Sequence, residues 1–104
     1  MANKKRESVL VEALRISSGD RRKHYGHPTP NHQRIAALWN GYWEARSILK
    51  SGKRRKRTLK IKPVDVVEMM LLLKAAREMN RSQRDNWTDR AGYARVGAII
   101  TGHE

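Results

Sequence analysis

Apolar residues recur with the period of an α-helix in several separate segments of the chain. In the first segment, Val9, Ala13 and Ile16 share one face. In the third, Pro63 suits the first turn of a helix, where its missing N–H would have no partner in any case. The pattern predicts helices over residues 7–18, 31–49, 63–80 and 85–100. We therefore expect an all-α fold with about four helices in a compact bundle.

Turn-forming and capping residues separate these segments. Gly19 is suited to stop the first helix, and Gly52 interrupts the second. Thr29 or Asn31 is predicted to cap the second helix, and Asp85 the fourth. These boundaries leave a basic loop after helix 1 and a basic linker before helix 3.

The third predicted helix is apolar nearly all the way round, which is typical of a buried helix. It nevertheless carries Asp65 and Glu68 in its first half and Lys74 and Arg77 in its second. At about 100° per residue the acids and the bases point to different sides. We therefore expect one subunit not to unite them, whereas a homo-oligomer that packs this helix against its mate would.

Asp89 lies inside the apolar stripe of the fourth helix, near Tyr93 and Val96. A buried carboxylate without a partner costs several kcal/mol, so something should meet it. The candidates are a divalent cation, Lys74 or Arg77, or a basic residue of the loop after the first helix. We favour an internal ion pair over a metal, because structural ion pairs commonly bury charge.

Acidic residues on the third and fourth helices form a candidate metal site. Mg²⁺ takes oxygen ligands and usually keeps waters and substrate phosphates in its shell. The predicted ligands are Asp65, Glu68, Asp85 and Asp89. Their convergence on one pocket would support a magnesium cofactor, and a salt-bridged Asp89 would count against it.

Length and composition predict one basic domain. The chain has 104 residues, a formal net charge of +13 and no cysteine, which excludes disulfides and thiolate metal sites. The charge favours nucleic acid, nucleotides or an acidic protein surface as partners and does not choose among them. No apolar run predicts a signal peptide or a membrane span, so we expect a cytosolic protein without a membrane partner. The expected divisions are a flexible basic N-terminus (1–6), a single helical domain (7–100) that includes the basic linker (50–62), and a tail (101–104).

The loop over residues 20–30 is the stronger candidate for binding phosphate. Arginine offers a planar pair of donors to phosphate, tyrosine can stack on a base, and Gly26 allows close approach of the backbone. The candidate nucleotide-binding or phosphate-binding residues are Arg21, Arg22, Lys23, Tyr25, Lys74 and Arg77. The alternative is a solvated basic loop. The histidines at 24, 27 and 32 match no zinc spacing.

The linker contains a run of basic residues that is a candidate nucleic-acid contact. The run consists of Lys53, Arg54, Arg55, Lys56 and Arg57. Such runs are more often solvated and disordered. The nearby aromatic residues Trp39, Tyr42 and Trp43, like Trp87, have the spacing of core residues, so we favour core packing over base stacking.

A set of ordered motifs resembles a small helical domain family that is common in bacteriophages and prophages and has no settled function. The motifs are Gly19-Asp20-Arg21, Tyr25-Gly26-His27-Pro28, Asn31, Ile35-Ala36-Ala37-Leu38-Trp39, Pro63-Val64-Asp65-Val66, Leu72-Leu73-Lys74-Ala75-Ala76-Arg77 and Asp85-Asn86-Trp87-Thr88-Asp89-Arg90-Ala91-Gly92-Tyr93-Ala94. They cover most of residues 8–97 except the linker. The resemblance implies a phage protein that works in the cytoplasm of a bacterial host.

The chain is also distantly similar to the all-α NTP pyrophosphatases (MazG-like). Those enzymes hold Mg²⁺ over nucleotide phosphates with a Glu-x-x-Glu pair on one helix and a Glu-x-x-Asp pair on the next. Asp65-x-x-Glu68 and Asn86-x-x-Asp89 stand at comparable places, with Asp85 beside Asn86. The resemblance implies that a metal-activated water attacks a phosphate. The shorter Asp65 and the uncharged Asn86 favour nucleotide binding over catalysis.

These observations support three hypotheses. The first is a nucleotide-handling protein, either a Mg²⁺-dependent pyrophosphohydrolase or a non-catalytic protein that sequesters a nucleotide. The second is a nucleic-acid-binding protein that uses the linker and the basic loop. The third is a phage accessory protein that binds a host protein.

Overall fold

The computed structural model describes residues 7–19, 26–56 and 59–104. Within these ranges the chain forms helices α1 (Val9–Ile16), α2 (Pro28–Arg46), α3 (Pro63–Asn80) and α4 (Arg84–Ile100). They pack against one another, so the predicted all-α fold is confirmed. The predicted flexible N-terminus (1–6) and most of the loop after α1 lie outside the described residues.

Helix α2 begins earlier than the sequence predicts. It starts at Pro28, and the side chain of His27, not Thr29 or Asn31, caps it. The His27 Nδ1 atom accepts a hydrogen bond from the backbone N–H of Thr29 at 3.2 Å. The predicted caps are therefore wrong. An imidazole nitrogen performs the role usually taken by a serine or asparagine oxygen.

The first part of the linker forms a tight hairpin, which ends α2 at Arg46. The N–H of Leu49 donates to the carbonyl of Lys53 at 2.7 Å, and the N–H of Arg55 donates to that of Ser47 at 2.8 Å. Gly52 occupies the turn with a φ of +84°, a conformation that favours glycine. The basic run is thus partly built into a fixed turn at the glycine predicted to interrupt the second helix.

The end of the linker is attached to the middle of α2. The side-chain amide of Asn40 donates to the carbonyl of Ile61 at 2.8 Å and accepts from the Ile61 N–H at 2.9 Å. The backbone then enters α3, where the Asp65 carboxylate accepts from the Lys62 N–H at 2.8 Å. These bonds fix the direction in which α3 leaves the linker.

Helices α3 and α4 form the centre of the fold, with α1 packed on α4 and α2 packed on α3. The buried apolar side chains of the described residues include Ala13, Ala36, Val66 and Val67. Gly97 of α4 lets the two central helices approach closely, since a Cβ atom there would lie 3.2 Å from a methyl group of Val67. Helix α4 begins at Arg84 with Gln83 at the N-cap, so the predicted capping role of Asp85 is wrong.

Polar side chains of α4 hold α1 in place. The Arg84 guanidinium donates to the Glu12 carboxylate at 2.9 and 3.1 Å and to the backbone carbonyl of Glu7 at 2.6 Å. Farther along α4, Arg95 donates to the hydroxyl groups of Ser17 and Ser18. The short first helix is therefore fixed at both ends by arginines.

The expectation that α3 is buried all round is wrong. Met69 is 42% exposed, Leu72 69% and Met79 86%. One side of the helix packs on α2 and α4, while this other side faces solvent. No helix of the described residues is both long and apolar enough to span a membrane.

Candidate ligand-binding site

A cavity of about 400 Å³ lies where all four helices meet. The lining comes from the end of α1, the first half of α2, the first half of α3 and the middle of α4. The residues that line it are Ile16, Ser17, Gly26, Pro28, Asn31, His32, Ile35, Trp39, Val66, Met70, Asp89, Gly92, Tyr93 and Val96. This volume lies within the range typical of small-molecule sites.

Most of the cavity wall is apolar, with a few polar groups. Ile35, Trp39 and Met70 are among its apolar residues. His32 is buried, and its Nδ1–H donates to the carbonyl of Pro28 at 2.9 Å. In the neutral imidazole this bond leaves Nε2 as an acceptor. An apolar chamber with few polar groups is the usual arrangement of a site that binds an organic ligand.

Asp89 lines the cavity and is held by an ion pair with α3. The Lys74 Nζ atom lies 2.8 Å from its Oδ2 atom, with the two side chains 15% and 20% exposed. The favoured interpretation of Asp89, an internal ion pair, is confirmed. Of the partners considered, Lys74 is the one that meets it, while Arg77 is exposed on α3.

The four predicted metal ligands do not converge in one chain. Asp65 accepts the bond from Lys62 at the start of α3, Glu68 and Asp85 are exposed, and Asp89 pairs with Lys74. In residues 7–19, 26–56 and 59–104, no group of three or more His, Cys, Asp or Glu side chains could hold a metal ion. These acids therefore do not fit a magnesium site within the single chain.

Asn86, which the resemblance to the pyrophosphatases compares with an acid of those enzymes, has a structural role in this chain. It is buried, and its side-chain Nδ2 donates to the Glu78 carboxylate at 3.0 Å. Glu78 also accepts from the N–H of Gln83 at 3.0 Å. Bonds from Ser82 first, then from Asn86 and Gln83, lower the pKa of Glu78 from 4.5 to about 2. This cluster joins the end of α3 to the start of α4.

Two of the six predicted phosphate-binding residues, Lys74 and Arg77, lie in the described part of the chain. The residues Arg21, Arg22, Lys23 and Tyr25 lie outside the described part of the chain. Ser17 and Gly26, which flank that segment, both line the cavity. Lys74 does not line the cavity itself, but it forms an ion pair with Asp89, which does. Arg77 does not line the cavity.

One wall of the cavity coincides with a face that could be read from the sequence, and another does not. The stripe on α4 that contains Asp89, Tyr93 and Val96 does line it. The α2 wall, with His32 and Trp39, was not predicted as a site. Residues 28, 32, 35 and 39 follow the helical period, so their common face was readable, but nothing in the sequence indicated that it borders a cavity.

The candidate nucleic-acid residues lie elsewhere on the surface. Lys53, Arg54, Arg55 and Lys56 belong to the hairpin and are exposed, whereas Arg57 lies outside the described residues. Of this group, Arg54 forms an ion pair with Glu44 at 2.7 Å. None of the four described residues, 53–56, lines the cavity.

The chain belongs to a family described as a domain of unknown function (DUF6378), whose model matches residues 8–101. It is 40% identical over 89 residues to the Gene 55 protein of Mycobacterium phage D29, which is 85% of this chain and 50% of that protein. It is 41% identical over 90 residues to the Gene 55 protein of Mycobacterium phage L5, or 86% and 49% of the two chains. The chain thus spans about half the length of the curated relatives it matches. No solved structure matches it.

These relatives confirm the resemblance to a family found in phages. Their names state no activity. The resemblance to the all-α NTP pyrophosphatases stays a prediction.

Proposed function

We propose that the protein binds a phosphorylated nucleotide, with the base in the cavity, and holds it without hydrolysing it. The observation that carries this proposal is the cavity of about 400 Å³ with its mainly apolar wall. A nucleobase is planar and largely apolar on its faces, and it carries donors and acceptors at its edge. Trp39 and Tyr93 offer aromatic surface, while Asn31, His32 and Asp89 offer polar atoms.

The phosphate group is assigned to the basic segment that begins and ends beside the cavity. Ser17 and Gly26 line the cavity, and the sequence between them includes Arg21, Arg22 and Lys23. Arginine and lysine bind phosphate through charge-assisted hydrogen bonds. The net charge of +13 further favours an anionic ligand.

The positions and partners of the acidic residues favour a binding role over hydrolysis. Among the four predicted metal ligands, Asp89 lines the cavity, and its charge is balanced by Lys74 at 2.8 Å. A metal-dependent hydrolase needs several oxygen ligands around an ion that contacts the substrate phosphates. The protein would therefore act by withdrawing a nucleotide from solution.

Isothermal titration with nucleoside mono-, di- and triphosphates and with dinucleotides, each with and without Mg²⁺, tests this proposal. We expect saturable binding of at least one of them, with no product detected by chromatography. Gly92→Leu should weaken binding at least tenfold, because the new side chain would enter the cavity. Gly41→Leu is the matched control, since Gly41 is also a helix glycine with open space around it and lies outside the cavity.

Two results would count against the proposal. If no member of the panel binds at millimolar concentration, the nucleotide assignment is wrong. If pyrophosphate is released in the presence of Mg²⁺ and its release is abolished by Asp89→Ala, the protein is a hydrolase. Variants with Arg21, Arg22 and Lys23 replaced by alanine should lose affinity for the phosphorylated ligand more than for the corresponding nucleoside.

A further inference from the structure

Two exposed aromatic side chains near the end of α2 contradict the expectation that they belong to the core. Tyr42 is 60% exposed and Trp43 is 51% exposed. Their rings contact edge to face, with centroids 5.7 Å apart and planes at 74°. Large aromatic groups are enriched where a protein meets a partner, because they supply much contact area at low entropic cost.

The hairpin brings basic residues to the same place. A second, shallow concavity of about 500 Å³ is lined by Trp43 together with Arg46, Arg55 and Lys56. It shares no residue with the cavity proposed for the nucleotide. All residues from 50 to 56 are exposed, and this stretch holds five basic residues and no acidic one. The surface therefore combines aromatic groups with concentrated positive charge.

We propose that this aromatic and basic surface, formed by Tyr42, Trp43, Arg46, Arg55 and Lys56, binds single-stranded nucleic acid. Single-strand sites combine a basic groove that follows the phosphates with aromatic rings on which unpaired bases stack. Bases within a duplex are already stacked on one another and are not available to a tryptophan. An acidic protein surface would satisfy the charges but would leave the aromatic rings without a matching group.

The hairpin geometry supports this choice of ligand. The backbone bonds from Leu49 to Lys53 and from Arg55 to Ser47 fix the turn on the end of α2. Arg55 thereby lines the same concavity as Trp43. A phosphate bound there would stand next to a stacked base, as it does in a nucleotide chain. Because the backbone of the turn is fixed by these bonds, binding does not have to order it.

Fluorescence anisotropy with labelled 12-nucleotide single strands of DNA and RNA, at several salt concentrations, tests the proposal. We expect affinity to fall steeply with salt, because bound phosphates release counterions. Trp43→Ala should weaken binding about tenfold through lost stacking. The double variant Arg55→Ala/Lys56→Ala should weaken it further and reduce the logarithmic salt slope by about 1.4, since each phosphate contact contributes about 0.7 for single strands.

Matched controls separate this surface from a general effect of charge or aromatic content. Trp87→Ala removes a tryptophan that is 50% exposed on α4, where Arg90 lies 4.8 Å over its ring. Arg34→Ala/Arg81→Ala removes two positive charges from exposed positions on α2 and at the end of α3 that line neither concavity. Both controls should stay within about twofold of the original affinity. Circular dichroism should confirm that every variant remains helical.

Three outcomes would overturn the proposal. The first is the absence of binding to single strands at low salt. The second is an equal loss of affinity in Trp43→Ala and Trp87→Ala, which would show that stacking is not specific to this surface. An equal loss in the two double variants would likewise indicate attraction by net charge alone. The third is tighter binding of a duplex than of its component strands. Gly92→Leu should leave oligonucleotide binding unchanged, so this proposal and the nucleotide proposal fail independently.

Discussion

The ammonium group of Lys74 lies 2.8 Å from the carboxylate of Asp89, and this ion pair joins the two central helices beside the cavity. Both side chains are mostly withdrawn from water, with 15% and 20% of their surfaces exposed. The contact between these two charges is therefore largely shielded from solvent. The pair connects the stability of the α3–α4 contact with the chemistry of the cavity wall.

Breaking this pair from one side should destabilise the protein. Lys74→Met or Asp89→Leu alone is expected to cost about 3 kcal/mol, because it leaves a poorly solvated charge without a partner. The double variant Lys74→Met/Asp89→Leu should cost clearly less than the sum, since it removes both charges. Urea unfolding of the four proteins measures the coupling.

The exposed ion pair between Arg54 and Glu44 provides the control. Its side chains are 65% and 57% exposed, so Glu44→Gln should cost less than about 1 kcal/mol. If the losses of unfolding free energy in Lys74→Met and Asp89→Leu simply add in the double variant, the two side chains do not form the ion pair seen in the structure.

The depressed pKa of Glu78 predicts a specific loss of stability in acid. Hydrogen bonds from Ser82, Asn86 and Gln83 lower this pKa from 4.5 to about 2 in the folded state. The folded protein therefore binds fewer protons than the unfolded chain between these values, and its stability falls as the pH drops. The contribution is fully present above pH 4.5 and is lost towards pH 2.

Urea unfolding at a series of pH values tests this contribution. Glu78→Gln should flatten the pH dependence between 4.5 and 2. Ser82→Ala removes the donor with the largest effect and should give an intermediate slope. An unchanged slope in Glu78→Gln would show that this carboxylate does not carry the effect.

The two hydrogen bonds between Asn40 and Ile61 should control how firmly the linker is held. Asn40→Ala is expected to destabilise the protein by about 1–3 kcal/mol, because backbone groups of Ile61 lose their partners. Hydrogen exchange at the Ile61 amide should accelerate. Asn40→Asp keeps an oxygen that can accept from the Ile61 N–H, so exchange at this amide should stay slow. This variant therefore separates the loss of the hydrogen bond from a general loss of packing. Exchange at Ile61 that is equally slow in all three proteins would refute the anchor.

Two helix glycines should respond differently to alanine. Gly41 has open space around its position, so Gly41→Ala should stabilise α2 by about 0.5–1 kcal/mol. At Gly97 the new methyl group would lie 3.2 Å from the buried Val67, and the benefit should be smaller or reversed. Val67→Ala should be tolerated better in the presence of Gly97→Ala than alone. Equal stabilisation at both glycines would mean that the helices separate easily.

The helices themselves could be predicted from the sequence because their signal is local. The helical period and Pro63 place α3 within the bounds that the structure has. The start of α2 could not be predicted, because a histidine side chain caps it and histidine is not a typical capping residue. The break at Gly52 and the possibility of a hairpin in the linker could be predicted, but the position of the hairpin at residues 47–55 could not, since its bonds form between backbone groups.

The site was predictable only where a residue conflicted with its surroundings. Asp89 stands in an apolar stripe, so its need for a partner followed from the sequence, and Lys74 was among the partners considered. The exposure of Tyr42 and Trp43 did not follow, because core residues and exposed residues on a helix share the same spacing. Which face is covered depends on how the helices cross, and that is a property of the whole fold.

The cavity has a consequence for the thermodynamics of the domain. The described residues bury few large apolar side chains, and about 400 Å³ between the helices is open to a ligand. A molecule that fills this space contacts apolar side chains of all four helices and so stabilises the folded state. At a concentration one hundred times its Kd, it would stabilise the folded state by about 2.7 kcal/mol. For a domain of this size that is a rise in Tm on the order of 10–20 °C. The melting temperature is therefore an assay for the identity of the ligand that requires no knowledge of any reaction.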